Sequence, residues 1–345
     1  MKKSRPAKKL RVIVLCQEKL IPPDSLEGYT EKQILDWKTE YDVIQALKGM
    51  GHEVYTVALS NELGAIHVAI DDYRPHVAFN LIEEFDGYAL YDQHVVSYLE
   101  LKGQKYTGCN PRGLMLARDK ALSKKILAYH RIPVPQFAVF PYNRRVRRPA
   151  RLKFPLLVKS ATAEGSLGIS QASVVRSDEK LAERVEFIHR TIYSDAIAEQ
   201  YIEGREIYVG LAGNRRVQTF APWEHRLENL PDGAHNIATY RVKWDPEYQR
   251  NVGFSDGPAD LPPELTRRLE HLSKRIYRIL MLSGYARLDY RLTPDGRFYL
   301  LEANPNANVA RDDYFSDSAK KSGLDYERLL QKLMTLGMSY DVTQF

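Results

Sequence analysis

Residues 284–306 read GYARLDYRLTPDGRFYLLEANPN, two runs of alternating apolar and polar residues around a turn sequence. The turn is Thr293-Pro294-Asp295-Gly296, in which Pro presets φ and Gly accepts a left-handed backbone, so 286–292 and 297–303 pair as a β-hairpin. Side chains two apart on a strand share a face, which puts Arg287 beside Asp289 and Glu302 beside Asn304. Folding the turn then gathers two carboxylates, an amide oxygen and a guanidinium in one place. Oxygen donors of this kind suit Mg²⁺, which keeps several waters and completes its shell with substrate phosphates. An arginine beside such a metal is what a developing oxyanion needs. Spacing alone equally permits an exposed hairpin whose charges merely alternate with apolar residues.

Upstream, the apolar run FPLLVK (154–159) ends in Lys159 and leads into AEGSLGIS (163–170). Gly165 and Gly168 free the backbone there to aim amides at a phosphate, and Ser166 adds a hydroxyl. No GK[ST] occurs, so the turn is not a Walker loop. Lys120 and Lys243 are further candidates for a phosphate, and each also fits an ordinary solvated lysine.

The 345 residues around these motifs are 44% hydrophobic and 27% charged, enough for two to three cores and incompatible with a disordered chain. No apolar run reaches 18 residues, which excludes a membrane-spanning helix, and the apolar stretch 12–16 behind the basic start MKKSRPAKKL is too short for a secretory leader. Cys16 and Cys109 stand in no metal-ligand or CxxC spacing and read as core residues of a cytoplasmic protein. The net charge of +6 permits a polyanionic partner. Six Lys/Arg, however, fall in the first eleven residues and six more in 144–153, a stretch broken by Pro149 and followed by Pro155, with no aromatic groups interleaved. A solvated tail and a loop are expected there, and nucleic-acid binding is not.

Strands at 11–16, 53–59 and 76–81 alternate with helices at 40–50 and 91–101, so the first hundred or so residues predict an open parallel α/β sheet. No GxGxxG follows the first strand, which argues against a dinucleotide site. Beyond Arg118 the pattern predicts a helix (119–130), a connection through Pro133 and Pro135, a strand (154–160), the glycine turn, a helix (178–193) and a strand (196–202). The last third predicts a strand (206–212), a long polar loop region (224–260), an amphipathic helix (263–283) and the hairpin.

In chain order, DKALSKKIL (119–127), LLVKSATAEGSLGIS (156–170), AEQYIEGREIYV (198–209), TYRVKW (239–244), GYARLDYRL (284–292) and FYLLEANPN (298–306) resemble the motifs of ATP-grasp enzymes. Over about residues 105–335 the chain is similar to the D-alanine–D-alanine ligases. The N-terminal part resembles them less closely, through FNL (79–81) and KYTGCNP (105–111). With the resemblance in view, the exposed-hairpin alternative falls away. The fold it implies is α/β and α+β: an ATP-grasp fold behind an N-terminal pre-ATP-grasp open parallel α/β domain. The division expected is 1–117, a central subdomain 118–204, and a C-terminal subdomain 205–345 that carries the hairpin.

The resemblance also implies roles. Lys120 and Lys159 match lysines that reach the ATP phosphates, and 164–168, with Gly165 and Ser166, matches a mobile flap. Glu199, Gln200, Tyr201 and Ile202 match a hinge strand that reads adenine, and Glu206 a carboxylate on the ribose. Asp289, Glu302 and Asn304 match the ligands of Mg²⁺, for which Mn²⁺ is the alternative. Lys243 matches a lysine on the loop over the γ-phosphate, and Arg287 the arginine that steadies an acyl phosphate. The implied reaction phosphorylates a carboxylate with ATP and lets an amine displace the phosphate. The implied partners are therefore a small carboxylate and an amine, with no membrane; a homodimer is left open.

The departures bear on the substrates. The glycine-rich, glutamate-bearing segment that such ligases carry after the first strand is not recognisable in CQEKLIPPDSLEGYTEKQ (16–33). Glu83 and Glu84 stand where a histidine is usual, and Asp313 stands about where a serine receives the acceptor's carboxylate. Glu83 and Asp313 are thus candidate substrate contacts, and an acceptor other than D-alanine is expected. Two alternatives are a genuine D-alanine–D-alanine ligase and a non-catalytic nucleotide-binding protein on the same fold.

Overall fold

A computed structural model describes residues 9–344, so most of the basic start, whose expected state is a solvated tail, lies outside the described residues. Lys9 pairs with Glu53 at 3.0 Å, and the Arg11 guanidinium donates to the carbonyls of Tyr73 and Arg74. The first sheet is built from β1 (Arg11–Gln17), β2 (Glu53–Leu59) and β3 (Val77–Asn80) in the order β2-β1-β3, both pairs parallel. Helices α1 (Glu31–Gly49) and α2 (Gly64–Tyr73) supply the crossovers. The parallel α/β arrangement agrees with the alternation in the sequence.

Helix α1 starts nine residues earlier than its apolar spacing predicts. Thr30 and Gln33 form a capping box that starts it, and its first two turns are mostly exposed, so they carry no apolar stripe to read. Helices α3 (Asp92–Leu101) and α4 (Pro111–Arg118) follow, the latter capped by Asn110 with Pro111 in its first turn.

The second sheet is antiparallel, in the order β4-β7-β5-β6, and comprises β4 (Phe137–Phe140), β5 (Leu156–Ser160), β6 (Val174–Val175) and β7 (Ala196–Gln200). Helix α5 (Lys120–Tyr129) precedes it, and α6 (Asp178–Ile192) packs Leu181, Val185 and Ile188 on Leu156, Val158 and Ala198. This core is separate from the two that the other sheets share. Between β4 and β5 the Arg-rich stretch is a loop, as its prolines predict, and Arg148 pairs there with Asp178.

The third sheet, also antiparallel, has six strands: β8 (Arg205–Ala212), β9 (Gln218–Thr219), β10 (Trp223–Leu227), β11 (Phe254–Pro258), β12 (Tyr285–Leu292) and β13 (Phe298–Pro305). Helices α7 (Tyr240–Trp244), α8 (Pro246–Asn251), α9 (Pro263–Ile279), α10 (Tyr314–Lys321) and α11 (Tyr326–Ser339) accompany it. The expected polar loop at 224–260 is a correction: it contains two strands and two short helices. Strand β10 hides its polarity by pairing on both sides, with β8 and β11, while Arg205 and Arg226 neutralise the buried Glu224. Among the described residues no helix is long and apolar enough to cross a membrane.

Candidate functional site

The site grows from the register of three adjacent strands. Across β8, β12 and β13, Gly210 lies opposite Arg287 and Arg287 opposite Asn304. The next row on that face is Tyr208, Asp289 and Glu302, and beyond it Glu206 faces Arg291. Gly210 leaves the room at the first row, since a Cβ there would meet Phe220 at 2.9 Å and Phe315 at 3.1 Å. The four hairpin residues singled out by their spacing are therefore neighbours, although a bulge between Asp289 and Tyr290 shifts the register after them.

Arg287 donates to both oxygens of Asp289, at 2.8 and 3.0 Å, and Asn304 adds an N–H to Oδ2 at 2.9 Å. Its guanidinium lies over the Tyr208 ring at 5.2 Å and near that of Tyr314 at 6.0 Å. Burial raises the Asp289 carboxyl, and Arg287 works against that rise. Glu302 behaves oppositely. Burial disfavours its charge, but Lys120, Lys159, Lys243 and Arg287 together outweigh burial and hold its carboxyl well below the usual range. The ammonium groups of Lys120 and Lys159 each stand 3.8 Å from its Oε2.

The remaining expected residues converge less uniformly. Lys120 also donates to the Ala163 carbonyl at 2.8 Å and pairs with Glu164 at 3.4 Å, which ties α5 to the flap. Gly165 and Ser166 both adopt positive φ, but the Ser166 hydroxyl is spent on the Ala238 carbonyl at 2.8 Å, and Trp244 Nε1 donates to Gly165 O at 3.0 Å. The flap thus rests on the segment that carries Lys243. Glu199 is buried between Lys124 (3.4 Å) and Lys159 (3.5 Å), while the amides of Gln200 and Tyr201 are engaged by the carbonyls of Gln136 and Pro155. Ile202 lines a small pocket together with Lys159, Glu199 and Glu302. Glu206 is held by Arg291 at 2.8 Å and by the Tyr208 hydroxyl at 2.5 Å. The space enclosed by Lys159, Glu199, Ile202, Lys243 and Glu302 is only about 60 Å³, room for a few waters at roughly 10–15 Å³ each.

Asp313 caps α10, accepting from the Phe315 amide. Burial, with Asp256 adding repulsion, pushes its carboxyl up to about 6 against the pull of Arg287. Asp312 is exposed, and Arg311 stacks over Tyr326 at 4.2 Å and pairs with Glu327 at 2.5 Å. Glu83 is exposed and opens onto a larger cleft of about 1610 Å³ lined by α1 and the flap. Both cysteines are free and buried; burial raises the Cys16 thiol and pushes Cys109 up to about 12, so neither is a nucleophile.

Sequence reasoning missed several groups. Arg291 was legible, being two residues past Asp289 on the same strand. Tyr208 and His225, 3.0 Å apart, were not, because register across β8 and β10 brings them together. Burial, reinforced by Lys243 and Arg287, lowers His225 far enough to keep it neutral. Arg118 and Asp92, a buried pair at 2.7 Å behind Glu164, and Lys124 were also missed.

Asp289 and Glu302 are the hard oxygen donors that could hold a metal; the Asn304 amide, which donates its N–H to Asp289, would have to flip to add its oxygen. Among the described residues no cluster of three or more His, Cys, Asp or Glu exists that could cage one without further ligands.

A family profile described as the D-ala D-ala ligase C-terminus matches residues 126–335. A D-alanine–D-alanine ligase of Nitratidesulfovibrio vulgaris is 30% identical over 311 residues, covering 88% of this chain and 96% of that protein. An uncharacterized protein of Sinorhizobium fredii is 28% identical over 301 residues, with 85% of each covered. The crystal structure of a Bacillus anthracis D-alanine–D-alanine ligase complexed with ATP matches with a TM-score of 0.73 and 22% identity, over 95% of this chain and 97% of that one. With the profile spanning well over half the chain and relatives matching nearly end to end, this protein belongs to the D-alanine–D-alanine ligase family.

Proposed function

We propose that the protein is an ATP-dependent carboxylate–amine ligase whose acceptor is not D-alanine. One observation carries the ligase reading: Glu302 stands 3.8 Å from both Lys120 and Lys159, in the row next to Arg287. A carboxylate is a poor acyl donor because oxide is a poor leaving group. Transfer of the γ-phosphoryl of ATP to it gives an acyl phosphate and ADP; the amine then attacks the acyl carbon, phosphate leaves with the electron pair, and the amine loses a proton.

In this reading the three lysines bind the phosphates, and Mg²⁺ held by Asp289, Glu302 and Asn304 would neutralise charge on the transferring group. Arg287, clamped by Asp289, keeps its guanidinium in place before charge develops on the acyl oxygen, so no reorganisation is required during the reaction. The flap, held down by Ser166 and Trp244, excludes water that would hydrolyse the acyl phosphate. The boundaries after residues 117 and 204 fall between the three sheets, which supports three lobes with the nucleotide between the second and third.

The acceptor reading rests on Asp313, whose neighbourhood includes Asp256 and Arg287. With Arg311 engaged by Glu327 and Tyr326, no cation from that loop offsets Asp313 toward an incoming carboxylate. The second reading, a true D-alanine–D-alanine ligase, is favoured by the relatives that carry that name. ADP release with D-alanine as sole amino acid, compared with D-alanine plus an amine that lacks a carboxylate, separates the two. Release only in the mixture supports the altered acceptor, and efficient release with D-alanine alone refutes it.

A further inference from the structure

The large cleft under α1 is chemically unlike the protein that contains it. The chain is basic by six charges, yet this cleft is lined by eight carboxylates against two ammonium groups, those of Lys19 and Lys125. Lys19 is already taken by Glu84 at 2.5 Å. Deep in the cleft lies Glu40, which no motif points to. It is 4% exposed, feels the charge of Glu83, and meets only its own backbone amide: among the described residues no side chain donates to it or pairs with it. Burying an acid in this way is costly unless a cation arrives to pair with it. Burial and the neighbouring Glu83 push its carboxyl up to about 8, so it holds its proton near pH 7 and would give it up when a cation arrives beside it.

A second, independent observation points to a ligand at the same place. Asn80 and Asn306, 1% and 8% exposed, also line the cleft. Each uses its carbonyl oxygen on a backbone amide, of Ile82 and Cys109, and each leaves its buried NH₂ without a partner. Orphaned donors of this kind are rare in native interiors and call for an acceptor. Unpaired acids together with unpaired amide donors are complementary to a molecule that carries both ammonium and carboxylate groups.

We propose that this cleft takes a basic amino acid, a carboxylic acid bearing one more ammonium or guanidinium group than alanine, with Glu40 and Glu83 receiving the cation and Asn80 and Asn306 the carboxylate. The proposal rests on the ligase reading above and specifies the substrate class for it. An uncharged side chain of the same length would leave Glu40 buried and unpaired, so discrimination falls on charge. The cleft's volume of about 1610 Å³ admits the longer chain.

The test compares lysine and ornithine with norleucine and norvaline, both enantiomers of each, as stimulators of ADP release in the presence of Mg²⁺, ATP and an amine that lacks a carboxylate. The cationic acids are expected to show a KM at least tenfold lower than their neutral counterparts. Glu40→Gln and Glu83→Gln should each raise the KM for the cationic acid about tenfold while leaving the KM for norleucine and the Kd for ATP within twofold. Equal KM values for charged and neutral acids, variants that shift both alike, or release with alanine and norleucine but not with lysine or ornithine would each overturn the proposal and leave the ligase reading standing. No ADP release with any acid, together with no nucleotide-dependent rise in melting temperature, would overturn both.

Discussion

Replacing Asp313 by Asn removes a charge while keeping a side chain that can cap α10, so it isolates electrostatics from helix capping. The Asp313 carboxyl lies at about 6 in the folded protein against an ordinary 3.8, with burial the main cause. A carboxyl raised on folding binds its proton more tightly in the native state. It therefore costs nothing below about pH 4, where folded and unfolded chains are both protonated; the cost grows between about 4 and 6 and is complete above 6. At about 1.4 kcal/mol per pH unit the gap corresponds to about 3 kcal/mol. Partial solvent access at this residue screens the charge and brings the expected cost to roughly 1–2 kcal/mol. Asp313→Asn should thus be more stable than the wild type by that amount at pH 7.5 and indistinguishable from it at pH 4. Paired urea denaturation at the two pH values measures the difference. An equal effect at both, or a loss of stability at pH 7.5, would show that Asp313 is an ordinary solvated cap and would remove the physical basis for the altered acceptor.

Three further outcomes are expected. Arg287→Ala should lower kcat on the order of 10²-fold or more with the Kd for ATP nearly unchanged, because the guanidinium acts mainly on charge that develops later; weak ATP binding with normal turnover would reassign it. The same variant leaves Asp289 buried without its counter-charge and should lose about 3–5 kcal/mol of stability, read as a lower denaturation midpoint. If Asp289, Glu302 and Asn304 hold a metal, ATP should raise the melting temperature far more with Mg²⁺ than with EDTA, and equal shifts would refute that assignment.

How far the site was legible follows from how each group is assembled. Arg287, Asp289, Glu302 and Asn304 could be placed from the sequence because one short turn sets the geometry between them and a two-residue period aligns each pair. Lys120, Lys159 and Lys243 were phosphate candidates from the sequence, but only the motif resemblance joined them, since nothing local says that lysines on two helices and a strand gather around Glu302. Glu206 was assigned to a ribose, and the structure shows why spacing could not reveal its present bonds: Arg291 and Tyr208 reach it through strand register and rotamer. Glu40 left no signal, being one polar residue among several on α1; its burial comes from packing against the first sheet. The segment 224–260 misled for a related reason, as Glu224 and His225 look solvent-exposed until β8 and β11 close over them.

The most direct test of the acyl-phosphate account is the fate of a carboxylate oxygen. With the acid that best stimulates ADP release, D-alanine included in the trial, labelled with ¹⁸O in its carboxylate, the released phosphate is analysed by mass spectrometry after turnover with Mg²⁺, ATP and amine. The account predicts one ¹⁸O in each phosphate released, because the oxygen that attacks the γ-phosphorus leaves with it. Phosphate free of label, with amide product formed, would contradict it.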